Sequence, residues 1–213
     1  MLVEVGAARP DYLSMSAFFR ESGWTVISVE PNPVFCDLHR SVGNDVLCYA
    51  CGDRDEDDVD FTIVDSHGRS YESGQVSFES FSSLGIKPEF ASLTRDETTT
   101  TIKVKLRRLD TILATHAPQL DSIDMLAVDV EGWELEVLSG FNLKRYRPKC
   151  VVLENLFGRR EYRDYMAAQG YRRWRCLPPN EVFVSDDAQV TRCEIALLQI
   201  VDRIVHGAMK LVG

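Results

Sequence analysis

Met1-Leu2-Val3-Glu4-Val5-Gly6-Ala7-Ala8-Arg9-Pro10-Asp11 opens the chain, and Thr25-Val26-Ile27-Ser28-Val29-Glu30-Pro31-Asn32-Pro33 follows a short interval later. These two stretches decide the fold. Each holds a brief run rich in β-branched and aliphatic residues that stops at a turn, at Gly6 in the first and at Pro31-Asn32-Pro33 in the second. Between them Leu13, Ala17, Phe18 and Phe19 recur at helical spacing until Ser22-Gly23, so the unit reads strand, small-residue turn, helix, strand, acid. In a doubly wound α/β sheet such a unit holds a ligand across the carboxyl ends of its strands, and small turn residues let the backbone approach it closely. The acid that ends the second strand, Glu30, is placed to accept hydrogen bonds from vicinal ribose hydroxyls. An adenosine-containing cofactor is expected.

The alternation continues downstream. Phe35, Leu38 and His39 suggest a second helix, and Val46 to Ala50 a third strand that ends at Cys51-Gly52-Asp53. Arg54 to Asp60 reads as an acidic turn before a short strand at Phe61 to Val64. Residues 66 to 100, rich in Ser, Gly and Thr, form a long irregular segment of the kind that often binds ligands. Strands are then expected at Thr101 to Leu106, Ile123 to Val128, Lys149 to Leu153, Tyr171 to Cys176 and Glu181 to Val184. Helices are expected at Leu109 to Ala114, from Leu135 to Gly140, and around Arg160 to Gln169. The resulting fold class is α/β, a Rossmann-like, mostly parallel central sheet with helices on both faces, spanning residues 1–188. Residues 189–213 form an amphipathic helix that either packs on this domain or serves association with another chain or a membrane surface.

Composition bounds the function. The 213 residues are 45% hydrophobic and 27% charged, which suits one well-packed domain. A net charge of -9 disfavours broad capture of nucleic acid, which rests on many Lys and Arg contacts to phosphate. No stretch reaches the length of a membrane span, and the N-terminus lacks a signal-peptide pattern. The six cysteines are scattered, and the one C-x-x-C, Cys48 to Cys51, lies in a strand-like run rather than opening a helix. All six are read as reduced and structural, which makes the cytoplasm the simplest compartment. No His/Cys/Asp cluster has metal-ligand spacing, so no metal is assigned, although a carboxylate-bound divalent ion leaves little trace in a sequence.

The first turn separates cofactors. Ala8 and Asp11 stand where a dinucleotide fingerprint has its second and third glycines. A pyrophosphate needs that tight approach to backbone donors. S-adenosyl-L-methionine carries no phosphate and does not. A nicotinamide-dependent oxidoreductase is the alternative, and a catalytically silent binding protein a third.

The chain resembles the FkbM methyltransferases over about residues 1 to 185. The resemblance rests on Val3-Glu4-Val5-Gly6-Ala7-Ala8, on Val29-Glu30-Pro31-Asn32-Pro33, on Ala50-Cys51-Gly52-Asp53, and on Ala127-Val128-Asp129-Val130-Glu131-Gly132-Trp133-Glu134-Leu135-Glu136-Val137-Leu138-Ser139-Gly140, followed by Pro148 through Glu154. It departs at Ala8-Arg9-Pro10, where the family has Asn and a further Gly, and at Ala127, where it commonly has Lys. The resemblance implies a class I fold, S-adenosyl-L-methionine as cofactor, and O-methylation of a hydroxyl on a sugar, glycolipid or small metabolite. Glu4, Gly6, Ala7 and Ala8 would line the methionine portion, Glu30 with Pro31 and Asn32 the ribose and adenosine, and Gly52 and Asp53 the adenine. Ser77 in the long segment would hold the methionine carboxylate. Asp129 would meet cofactor or acceptor, and Asp129 with Glu131 are the candidate catalytic bases, ahead of His67. Glu134, in the first turn of a helix, reads as a cap.

Overall fold

The computed structural model describes residues 1–11, 14–65, 70–71, 76–77, 81–94 and 97–186, with backbone alone at 70–71 and 76–77. Strand β1 (Leu2–Val5) is buried throughout, as a strand covered on both faces must be. After it come α1 (Ala17–Glu21), β2 (Val26–Val29) and α2 (Pro33–Ser41). Asn32 caps α2 by accepting from the Val34 N–H at 3.0 Å, and Pro33 supplies a preset φ at the first helical position. Phe35, Cys36 and His39 form the buried side of α2. The chain continues through β3 (Val46–Leu47), β4 (Ala50–Cys51), β5 (Glu56–Asp65), β6 (Ser70–Tyr71), β7 (Val76–Ser77), β8 (Thr98–Arg107) and α3 (Leu109–His116). It ends with β9 (Met125–Val128), α4 (Glu134–Ser139), α5 (Leu143–Tyr146), β10 (Cys150–Glu154), α6 (Arg160–Ala168), β11 (Tyr171–Leu177) and β12 (Asn180–Ser185).

Seven strands form the main sheet in the order β11-β12-β10-β9-β1-β2-β3. From β10 to β3 all neighbours run parallel, and β12 and β11 are antiparallel additions. The architecture is therefore mixed α/β with a mostly parallel sheet. Alternation along the strands splits the core in two. Val3, Val5, Leu126, Val128, Val151 and Leu153 pack with side chains of α3, α4, α5 and α6. Leu2, Val26, Met125, Ala127 and Val152 pack with Phe19 of α1. Because β1 has β2 on one side and β9 on the other, the strand order reverses there, the kind of switch point outside whose strand ends open α/β sheets bind ligands.

Three expectations need correction. The run from Val46 to Ala50 is not one strand: β3 stops at Leu47, and Ala50–Cys51 belongs to a second sheet, β4-β8-β5. The acidic stretch before Phe61 is not a turn but the first half of the ten-residue β5. Its acids face solvent opposite the basic residues of β8, with Asp60 directly across from Lys103 and 2.6 Å from its ammonium, and this cross-strand pairing offsets their poor strand propensity. The third concerns the cysteines. Cys36 on the buried side of α2 joins Cys48, just beyond the strand α2 packs on, in a disulfide. Cys51, the other half of C-x-x-C, is a free buried thiol in the second sheet; Cys150 is also free and buried, and burial pushes it up to about 12. Cys193 and the amphipathic helix expected over 189–213 lie outside the described residues.

The antiparallel edge is held by Glu181, which is buried and accepts from Arg163 Nε at 2.8 Å, Arg173 Nη1 at 2.9 Å and Asn155 Nδ2 at 3.3 Å. Burial raises its pKa, but the two guanidiniums and the amide more than offset this and hold it below the usual range. The stabilisation is thus present at neutral pH and fades as acid protonates the group. Glu181→Ala is expected to cost about 2 kcal/mol, less than a fully buried ion pair because both arginines are partly solvated. An unchanged urea midpoint at neutral pH would show that the network adds nothing.

Candidate active site at the carboxyl ends of the central strands

The turn after β1 is built around one close approach. Gly6 has φ +82°, and a Cβ placed on it would lie 1.7 Å from the Asp129 carbonyl oxygen. No side chain fits. The Gly6 and Ala7 N–H groups donate to the Val29 carbonyl at 3.0 and 3.2 Å, and the Asp129 N–H donates to Val5 at 3.0 Å, so three strand ends are tied at one point. Ala8 follows with φ 45°, a left-handed conformation that is strained for a residue with a Cβ.

That strained turn aims the Ala8 N–H at Glu30. One carboxylate oxygen of Glu30 accepts from Ala8 and the other from the Asn32 N–H, each at 2.8 Å. Glu30 is only 4% exposed. Burial pushes its carboxyl up to about 7, against the pull of the two N–H groups, and the neighbouring Glu4 adds to the rise. An ionised carboxylate has about four acceptor positions, so two remain for a ligand. His39 of α2 braces the same turn through Nε2, 3.1 Å from the Ala8 carbonyl, and burial lowers its pKa and keeps the ring neutral.

The other predicted residues divide. Glu4 is buried on the α1 side of the sheet, where Ser28 Oγ donates to it at 2.8 Å and itself accepts from Arg20 at 2.8 Å. Asn32 is occupied as the α2 cap, and Pro31 is half-buried beside it. Gly52 packs its carbonyl against Gly140, where a Cβ would come within 2.0 Å, and Asp53 points into solvent and accepts from Arg54. Among the described residues no hydrogen bond links Gly52 or Asp53 to Glu30 or Asp129. The backbone of Ser77 lies in β7, and its side chain, like His67, is outside the described residues.

Asp129 and Glu131 do come together, with two further acids. Asp129 follows β9, Glu154 ends β10, and Glu134 opens α4; one carboxylate oxygen from each lies within 4.8 Å of the others. Burial, with repulsion from neighbouring acids, raises Asp129 to about 7 and pushes Glu131 and Glu154 upward; burial also raises Glu134, against the pull of its hydrogen bonds. Glu134 accepts from the Val130 and Gly132 N–H groups at 3.0 and 3.1 Å and from Tyr162 Oη at 2.6 Å. It therefore ties together the loop before its helix rather than capping α4, whose N-cap residue Trp133 makes no side-chain cap bond. Glu131 sits at φ 58°, strained, and buried. Residues 85 to 90 cover this turn: Trp133 Nε1 donates to the Gly85 carbonyl at 3.0 Å, and Phe90 packs where a Cβ on Gly132 would fall.

The family model of the methyltransferase FkbM domain matches residues 4–173. The chain belongs to the FkbM methyltransferase family. No curated protein and no solved structure matches it. No helix among the described residues is long and apolar enough to cross a membrane.

Every strand end that carries a candidate residue of this FkbM domain lies inside the matched span. What the sequence reading missed is Glu154, although it closes the Lys149 to Leu153 run just as Asp129 closes the Ile123 to Val128 run. Strand-end position was the available signal. Tyr162 and the Arg20–Ser28 pair gave none, because their partners are distant in the chain.

Proposed function

We propose that this FkbM-family protein is a class I, S-adenosyl-L-methionine-dependent O-methyltransferase acting on a hydroxyl of a sugar, glycolipid or small metabolite. The observation that carries the reading is Glu30: a buried carboxylate at the end of β2, pinned by two backbone N–H groups and keeping acceptor capacity for two vicinal hydroxyls. On this reading the ribose lies there and the methionine portion along Gly6 to Ala8. Glu4 acts from beneath by fixing that strand end, and Ser77 is assigned to the methionine carboxylate. Pro31, Asn32, Gly52 and Asp53 frame the adenosine side.

The chemistry is an in-line displacement. The acceptor oxygen attacks the sulfonium methyl, the carbon–sulfur bond breaks toward S-adenosylhomocysteine, and the hydroxyl proton passes to a carboxylate, Asp129 or Glu131. Holding the oxygen at near-attack distance is the main catalytic contribution. The C-terminal segment 189–213 is assigned to packing or homo-oligomer formation.

Thermal melting tests the cofactor. S-adenosyl-L-methionine at about 100 times its Kd is expected to add about 2.7 kcal/mol of stability, with no gain from NAD. A shift with NAD and none with S-adenosyl-L-methionine would instead establish the nicotinamide reading.

A further inference from the structure

Four acids converge at the carboxyl ends of β9 and β10: Asp129, Glu131, Glu134 and Glu154. Burying charge without a counter-charge is strongly unfavourable. Among the described residues no Lys or Arg forms an ion pair with any of the four. Arg159, which borders the same cleft, is taken by Glu89 and Glu161. One carboxylate oxygen each of Asp129, Glu134 and Glu154 nevertheless lies within 4.8 Å of the others. Carboxylates gathered this closely away from water call for something positive among them, a proton or a cation.

Glu131 supplies an independent sign. It is 7% exposed, and its Oε2 is shut off from solvent with no hydrogen-bond partner. Its carboxylate lies within Coulombic range of Asp129, Glu134 and Glu154. A buried, unpartnered carboxylate oxygen held by a strained backbone is an incomplete interaction. Spacing permits it: oxygens sharing a calcium-sized ion, each about 2.4 Å from it, stand at most about 4.8 Å apart, and those of Asp129, Glu134 and Glu154 lie within that reach of one another. Glu134 keeps a lone pair for this on the oxygen that Tyr162 touches, since its other oxygen already accepts two N–H groups. Glu134 and Glu154 also line a small cleft together with Phe90, Phe157 and Tyr162.

We propose that Asp129, Glu134 and Glu154 bind a divalent cation of the hard, oxygen-seeking class, Mg²⁺, Mn²⁺ or Ca²⁺, beside the buried carboxylate of Glu131. All-carboxylate ligation favours these ions over zinc or copper. The site adjoins the cofactor crevice, since β9 neighbours β1, and it stands whether or not the crevice takes S-adenosyl-L-methionine.

Manganese titration of the full chain, followed by the electron paramagnetic resonance of free Mn²⁺, tests this without any substrate. One ion per chain is expected, displaced by Mg²⁺ or Ca²⁺, with at least tenfold weaker binding in Asp129→Asn and in Glu154→Gln. Asp164→Asn, on the exposed side of α6, is expected to bind like the parent. Should a variant fail to melt cooperatively, the parent protein decides alone, through Mn²⁺ quenching of the adjacent Trp133. Absence of saturable binding up to about 1 mM Mn²⁺, the weak end of carboxylate sites, overturns the proposal, as does undiminished binding in both well-folded variants. Binding of Mn²⁺ with no binding of S-adenosyl-L-methionine would sink the cofactor reading and leave this one intact.

Discussion

Gly6→Ala is expected to lose most of the stability of the fold, on the order of 4 kcal/mol or more, which places it among the exceptional single substitutions. Two penalties act together. The added Cβ would need to occupy a point 1.7 Å from the Asp129 carbonyl oxygen, which is backbone and cannot swing aside. The residue would also have to keep φ at +82°, a strain of order 1–3 kcal/mol by itself. Gly23 separates the two, because it has φ +80° with nothing near its Cβ position. Gly23→Ala should therefore cost about 1 kcal/mol. Thermal unfolding of both variants checks this: for a chain of this size Gly6→Ala should lower Tm by about 10 °C or more. Equal, small effects would mean that the β1 turn and the end of β9 are not in close contact.

The second large effect concerns Glu30. Replacing it by Ala removes the acceptor for two buried N–H groups, those of Ala8 and Asn32, and on the proposed function also removes the partner of two ribose hydroxyls. S-adenosyl-L-methionine affinity should fall on the order of 100-fold, since charge-assisted hydrogen bonds contribute about 1.5–3 kcal/mol each. Glu30→Gln preserves shape and keeps one acceptor, so it should retain more stability than Ala while still losing most of the affinity.

The same residue gives a pH dependence whose sign is fixed. Burial raises Glu30 to about 7, so between its ordinary pKa and 7 the folded apo protein holds a proton that the unfolded chain does not. Its contribution to apo stability is present below the unfolded pKa and is lost as pH rises toward 7. Ribose hydroxyls donate to the ionised form. Cofactor affinity should therefore climb by up to about tenfold per pH unit below 7 and level off above it, with one proton released on binding at pH 6. A flat profile from pH 5 to 8 in the parent would separate cofactor binding from Glu30.

The local units of the fold were legible where one physical signal decided them. Gly6, Ser22-Gly23 and Pro31-Asn32-Pro33 punctuate β1, α1 and β2 because φ restriction and capping are properties of single residues. The second sheet was not legible, because β5 is a strand by virtue of the basic residues of β8 across from it, and no reading of Arg54 to Asp60 alone contains that partner. The Cys36–Cys48 disulfide was hidden for the same reason, since α2 and the end of β3 meet only in the fold. Glu30 and Asp129 were singled out by an expected place at strand ends, and they do directly follow β2 and β9. Glu154 was available by that rule, but its importance comes from β10 lying beside β9, which is a fact of sheet order.

If Glu30 binds ribose, the ends of β1 and β2 form a nucleoside site. Calorimetric titration of the parent chain with S-adenosylhomocysteine at pH 7.5 tests that directly. One saturable site per chain, greatly weakened in a folded Glu30→Gln protein, is the predicted result; no saturable heat, or equal binding by parent and variant, would contradict it.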